Sequence, residues 1–141
     1  MGSIHHEIPL DLDADTVWAA LRQVELAHKL FAGVLLDGRV EEDVRTVTFA
    51  NGSVVRERII DVDNDRRRLA YSAFDGTPMT HHNASMQIVS DGKQTCRFVW
   101  IADFLPHSFG EAMLPLIRQG AQALKTNLES GAFAAAAAAN Q

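Results

Sequence analysis

Glu57, Tyr71 and His82 are the side chains whose types and placement could do chemistry. Each lies in a stretch of period-two alternation, where every second side chain shares a face. In Val54–Val62, Val55, Glu57 and Ile59 share one face and Arg56 and Arg58 the other. Adjacent arginines are costly to bury, so their face meets solvent and Glu57 turns inward. In Arg68–Phe74 the inward set is Leu69, Tyr71 and Ala73; in His82–Val89 it is His82, Ala84, Met86 and Ile88. An inward carboxylate and an inward imidazole are a candidate catalytic acid–base pair. Glu57 and His82 could remove an acidic α-proton and protonate a leaving hydroxyl or an enolate oxygen, as a cyclisation or dehydration requires. The competing reading is structural. A buried Glu is expensive unless paired, so Tyr71 or an arginine could hold Glu57, and His82 could be a hydrogen-bonded core residue.

The surroundings of these groups are apolar. Cys96, Phe98, Trp100, Ala102 and Phe104 share a face of the last strand pattern, and Met113 and Ile117 lie on the apolar stripe of the last helical stretch. Phe31, Tyr71, Met86, Phe98, Trp100, Met113 and Ile117 are therefore the candidate ligand-binding residues, with Phe31 as a lid. A mostly apolar wall with few polar groups is the usual make-up of a small-molecule pocket. Tyr71 and Trp100 could stack on an aromatic ligand or simply pack in the core. The connectors Phe31–Gly33 and Asp75–Met79 are candidate gates, because Gly33 and Gly76 permit backbone change. No metal is expected. His5-His6 and His81-His82 are adjacent on strands and point to opposite faces, and no H-x-x-x-H or C-x-x-C spacing occurs. Cys96 has no nucleophile motif around it and reads as a small buried hydrophobe. The glycines are too scattered for a phosphate loop, and the chemistry considered requires no cofactor.

These side chains need elements to hold them. Ser3–Leu10 alternates as a strand. Asp11, Asp13 and Asp15 offer caps for a short helix over TVWAALRQ, in which Trp18 is a core anchor, and a second short helix runs from Glu25 to about Phe31. Strands are predicted over Val34–Glu42, Arg45–Phe49, Val54–Val62, Arg68–Phe74, His82–Val89 and Thr95–Phe104. Asn51-Gly52 and Asp91-Gly92 are strong hairpin signals, so the sheet is antiparallel and sequential through its middle. Ser108–Ser130 carries a helical stripe of Met113, Ile117, Gly120, Ala121, Leu124 and Leu128. Ser108 and Glu111 have capping-box spacing, and Pro115 should kink the helix or delay its first regular turn. The long helix needs a large apolar partner, and the sheet is the one available. The expected class is α+β, a twisted antiparallel sheet closing on one long helix with a cavity between them. Residues 1–131 form one domain; 132–141, FAAAAAANQ and its preceding Ala, form a low-complexity tail expected to fray.

At 141 residues the chain can bury one substantial core. A net charge of −5 argues against a general nucleic-acid partner. One cysteine precludes an internal disulfide and fits the cytoplasm. The start shows no secretory signal pattern, and the run Ala132–Ala139 is too short to span a bilayer.

IPLDLDADTVWAAL, VRTVTFANGSVVRERIIDVDNDRRRLAYS and FVWIADFLP resemble the START-like, birch-allergen-like superfamily, in particular its bacterial polyketide cyclase/dehydrase group. The resemblance covers nearly the whole chain. It implies the helix-grip fold: a curved seven-stranded antiparallel sheet around a long C-terminal helix, two short helices after the first strand, and a hydrophobic internal pocket. Similar proteins include aromatase/cyclases, lipid carriers and hormone receptors. The implied function is thus a cofactor-independent cyclase/dehydrase, or a non-catalytic carrier of a lipid or other hydrophobic ligand. A third reading, a protein-interaction domain, predicts a large exposed apolar patch instead of a cavity. Where similar sequences often carry a Trp or a His-Pro pair, this one reads AHKLFAG, so no role is carried over to His28.

Overall fold

The computed structural model of the chain describes residues 1–139. β1 (Ser3–Leu10) leads into α1 (Ala14–Leu21), a 3-10 turn (Val24–Leu26) and α2 (Ala27–Leu30). Six strands follow: β2 (Leu35–Glu41), β3 (Val44–Phe49), β4 (Val54–Asp63), β5 (Arg68–Asp75), β6 (His81–Ser90) and β7 (Cys96–Leu105). A 3-10 turn (His107–Phe109) enters α3 (Gly110–Glu129), and α4 (Ala132–Ala139) follows. The architecture is the α+β helix-grip arrangement that the sequence predicts.

The sheet has seven strands in the order β1-β7-β6-β5-β4-β3-β2, every pair antiparallel. Sequential hairpins build β2 to β7, and β1 returns to pair with β7. The β4–β5 register shifts twice, between Arg56 and Glu57 and between Ile59 and Asp61. Such irregularities increase local twist and help a sheet curve around what it encloses. Asp13 caps α1 by accepting from the Thr16 backbone N–H at 3.0 Å. Trp18 is buried in the core, and its indole N–H donates to Asn64 Oδ1 at 3.0 Å.

The buried face of α3 is Ile117, Gly120, Ala121 and Leu124, with Met113 and Leu128 partly buried beside it. Its start differs from expectation. Ser108 and Glu111 form no capping box: the cap position is Phe109, already helical at φ −75° and ψ −9°, and no side chain bonds there. An N-cap needs an extended backbone, and the 3-10 turn has wound the chain up before α3 begins. The helix runs on through Pro115.

The tail also differs. Residues 132–139 form α4, set off from α3 by Gly131 at φ 83°, instead of fraying. Phe133 is 6% exposed within the main core, and Lys29 Nζ donates to the Ala136 carbonyl at 3.0 Å. One aromatic anchor in an alanine run, where propensity already favours helix, suffices to dock it. Tail residues 140–141 lie outside the described residues.

Candidate functional site

β3 places Arg45, Val47 and Phe49 on the face toward α3, and β4 adds Val55 and Glu57. β5 contributes Tyr71 and Ala73, β6 His82 and Met86, and β7 Trp100. α2 and the segment after it supply Ala27, Phe31 and Val34, and α3 closes the far side with Met113, Leu116, Ile117 and Gly120. Between them lies a cavity of about 400 Å³. That volume falls in the range of small-molecule sites, and the lining is predominantly apolar. Leu116 faces it while 54% exposed, so the first turns of α3 form part of the rim. Connectors also line it: the segment after α2, Asn51 and Ser53 between β3 and β4, and Gly76–Met79 before β6.

The polar groups gather on the β3–β6 wall. Arg45 and Glu57 face each other across β3 and β4, and Arg45 Nε donates to Glu57 Oε1 at 2.8 Å. Both are buried, Arg45 at 5% exposure and Glu57 at 9%. The Arg45 guanidinium also lies over the Tyr71 ring, 5.4 Å from its centroid, and donates from Nη1 to the Val24 carbonyl at 3.4 Å. A buried pair of this kind survives because each charge supplies the other's missing solvation.

Tyr71 Oη accepts a hydrogen bond from Trp100 Nε1 at 3.1 Å. Burial holds the phenol far above its usual pKa, and the negative charge of Glu57 adds to the effect against the opposing Arg45 and the Trp100 bond. Tyr71 is therefore a neutral phenol, able to donate a proton into a hydrogen bond and unable to serve as a phenolate base. Gly120 makes the indole's position possible: a Cβ there would come within 2.8 Å of the Trp100 ring.

His82 lines the cavity with its ring 5.8 Å from that of Tyr71. The backbone N–H of Ala73 donates to His82 Nδ1 at 2.9 Å, which leaves Nε2 as the protonated nitrogen of a neutral ring. Burial, then the neighbouring His81, lower the imidazole pKa, with Asp103 opposing. Ser72 Oγ donates to the His82 carbonyl and fixes the backbone beside it.

Of the side chains singled out in the sequence, Glu57, His82, Phe31, Tyr71, Met86, Trp100, Met113 and Ile117 come together at this cavity. Phe98 does not line it. It is wholly buried behind Trp100, at a ring-centroid distance of 5.9 Å. Phe31 is 7% exposed and tilts against Trp100 at 6.0 Å, so it is a packed wall residue here. Sequence reasoning missed Arg45. The alternation of VRTVTF puts it on the face of Val47 and Phe49, but a lone arginine is ordinarily assigned to solvent.

The family described as polyketide cyclase / dehydrase and lipid transport matches residues 1–129. Among solved structures, the protein XoxI from Bacillus cereus is similar with a TM-score of 0.83, at 16% identity, over 91% of this chain and 96% of that one. A START superfamily protein from Mycobacterium smegmatis is similar with a TM-score of 0.77, at 11% identity, over 91% and 97%. Norcoclaurine synthase from Thalictrum flavum, in complex with dopamine and hydroxybenzaldehyde, has a TM-score of 0.72 at 21% identity, over 91% and 86%. At these identities the likeness is one of fold. No curated protein matched the chain. With nearly its whole length matched, the chain belongs to the polyketide cyclase / dehydrase and lipid transport family.

Proposed function

We propose that this member of the polyketide cyclase / dehydrase and lipid transport family binds a hydrophobic small molecule in the cavity under α3 and orients it by one polar wall. The observation that carries the reading is the segregation within the site. Apolar side chains from α2, α3, β3 and β7 surround a volume of about 400 Å³; Arg45, Glu57, Tyr71 and His82 cluster on the sheet wall, and the other polar side chains of the lining, Asn51, Ser53 and Thr77, come from the connectors. Such a wall gives affinity through burial of apolar surface and orientation through a few fixed hydrogen bonds. The pairing of Glu57 with Arg45 supports positioning over proton abstraction, because Oε1 is already engaged in accepting from Arg45 Nε at 2.8 Å.

Native mass spectrometry of freshly purified protein, followed by titration with a fluorescent hydrophobe, tests binding. A bound small molecule, or saturable binding that Met113→Trp abolishes by filling the cavity, is the expected result. Absence of both removes the reading.

Acid–base catalysis of cyclase or dehydrase type is the second reading. The observation that favours it is that two neutral proton donors, Tyr71 Oη–H and His82 Nε2–H, line one cavity. On this reading a co-purified molecule emerges chemically changed, and Glu57→Gln and His82→Ala lose turnover while keeping fold and binding. Unchanged rates in both variants remove it.

A further inference from the structure

Inside the cavity proposed to bind a hydrophobic molecule, the polar wall is unequal in its hydrogen-bonding capacity. Tyr71 Oη receives the Trp100 N–H, and its own proton has no protein acceptor among the described residues. His82 Nδ1 receives the Ala73 N–H, so the Nε2 proton is the one left for a ligand. Arg45 uses Nε on Glu57 and Nη1 on the Val24 carbonyl, and its remaining N–H groups have no protein acceptor among the described residues. Three donors therefore line the sheet wall of the cavity, while Asn51, Ser53 and Thr77 line it from the connectors. The acceptor on that wall is the second oxygen of Glu57, and it belongs to a carboxylate that Arg45 already holds.

The charge balance narrows the ligand further. Arg45 and Glu57 cancel, with side-chain exposures of 6% and 11%. A ligand carboxylate would enter with no uncompensated positive charge to meet it and with Glu57 beside it. A ligand ammonium would meet three donors, one of them the Arg45 guanidinium. The carboxylate would regain hydrogen bonds but no net charge compensation, and the ammonium neither in full, so each would be desolvated at a net cost. A neutral carbonyl oxygen accepts from several donors at once and carries no charge to desolvate. Around it stand the rings of Phe31, Trp100 and Tyr71, with Phe31 and Trp100 6.0 Å apart. Flat aromatic walls suit a planar ring system. We infer that the head group read by this wall is a neutral carbonyl conjugated to an aromatic body, an aryl ketone or aldehyde, with Tyr71 as its principal donor. The inference rests on the hydrophobic-ligand reading given above.

A matched naphthalene series tests it, using 2-acetylnaphthalene, 2-ethylnaphthalene, 2-naphthoate and protonated 1-(2-naphthyl)ethylamine against the full chain by calorimetry. The ketone should bind about tenfold more tightly than ethylnaphthalene, the yield of one well-made net hydrogen bond. Naphthoate and the ammonium should bind more weakly than the ketone. The carbonyl stretch of carbon-13-labelled acetylnaphthalene should fall on binding relative to a dry apolar solvent, and should return towards the dry value in Tyr71→Phe. That variant strands the Trp100 N–H, so Tyr71→Phe with Trp100→Phe is run beside it, and the infrared shift in the unaltered protein needs no variant. Equal affinity for ketone and ethylnaphthalene, a preference for naphthoate or the ammonium, or an unshifted carbonyl band overturns the head-group inference alone. If none of the four binds and no hydrophobe titrates, the underlying reading falls with it.

Discussion

Arg45 and Glu57 set the energetics of the polar wall, because neither charge has other compensation of comparable strength. Removing one leaves the other buried and unpaired, which typically costs about 3–5 kcal/mol. Glu57→Gln should lower unfolding stability on that scale, at the lower end because Gln can still accept from Arg45. Replacing both, as Arg45→Met with Glu57→Leu, should cost far less than the two single changes added together. Urea unfolding of the four proteins in a double-mutant cycle measures the coupling, and additive losses would show that the pair is solvated after all. His82 contributes a pH dependence of definite sign. Its folded pKa lies below the ordinary value of 6.5, so the unfolded chain binds a proton that the folded chain resists. Stability is thus fully present above about pH 6.5 and is lost as pH falls from there toward the lowered folded pKa. His82→Asn, whose side-chain carbonyl can still accept from the Ala73 N–H, should flatten this slope. A slope that survives the substitution assigns it to other groups. Glu57 was legible in the sequence because arginines flank it on both sides. Arg45 was not, since nothing local says that its partner lies on the next strand.

At the level of elements, the contact between α3 and β7 is fixed by a missing side chain. Gly120 admits the Trp100 ring, and a Cβ at that position would sit 2.8 Å from it, closer than real side chains approach. Helix propensity alone favours Ala over Gly by up to about 1 kcal/mol, whereas overpacking a fitted core costs about 1–3 kcal/mol. Gly120→Ala should therefore lower the melting temperature and displace the indole from Tyr71 Oη. Thermal melts and the near-ultraviolet dichroism of the tryptophans read both effects, and a higher melting temperature would mean that the ring had room to move. The apolar stripe of α3 was readable from its spacing, as was the alternation of β4 to β7. Gly120 is part of that stripe, but a sequence cannot say which ring occupies the space above a glycine. Nor could Ser108 and Glu111 reveal that a 3-10 turn precedes α3, because capping spacing is blind to the conformation of the residues between.

Across the whole molecule, one apolar core runs from α4 to the cavity. Phe133 of α4, Leu30 of α2, Phe31 and Met86 belong to the same buried cluster. α2 is held from three directions: it packs on β2, Lys29 reaches α4 at 3.0 Å, and Asn127 of α3 donates to the carbonyls of Leu30 at 2.9 Å and Ala32 at 3.1 Å. The sequential middle of the sheet was legible from hairpin turns, but the return of β1 to β7 was not, because no turn joins them, and nor was the seat of α4, because an alanine run presents no distinguishable face. If α4 braces α2, loosening it should speed ligand entry and exit past Phe31 without touching a lining residue. Phe133→Ala should cost about 3–5 kcal/mol as a core truncation. Stability loss by itself can also alter rates, so the comparison needs a variant weakened elsewhere. Val17 of α1 is wholly buried, does not line the cavity, and can be truncated to a similar stability. Stopped-flow binding of a fluorescent hydrophobe should then give faster association and dissociation in Phe133→Ala than in the Val17 control. Equal rates in the two would show that α4 stabilises the fold without governing access, and that the rim opens instead through Gly76–Met79 or the first turns of α3.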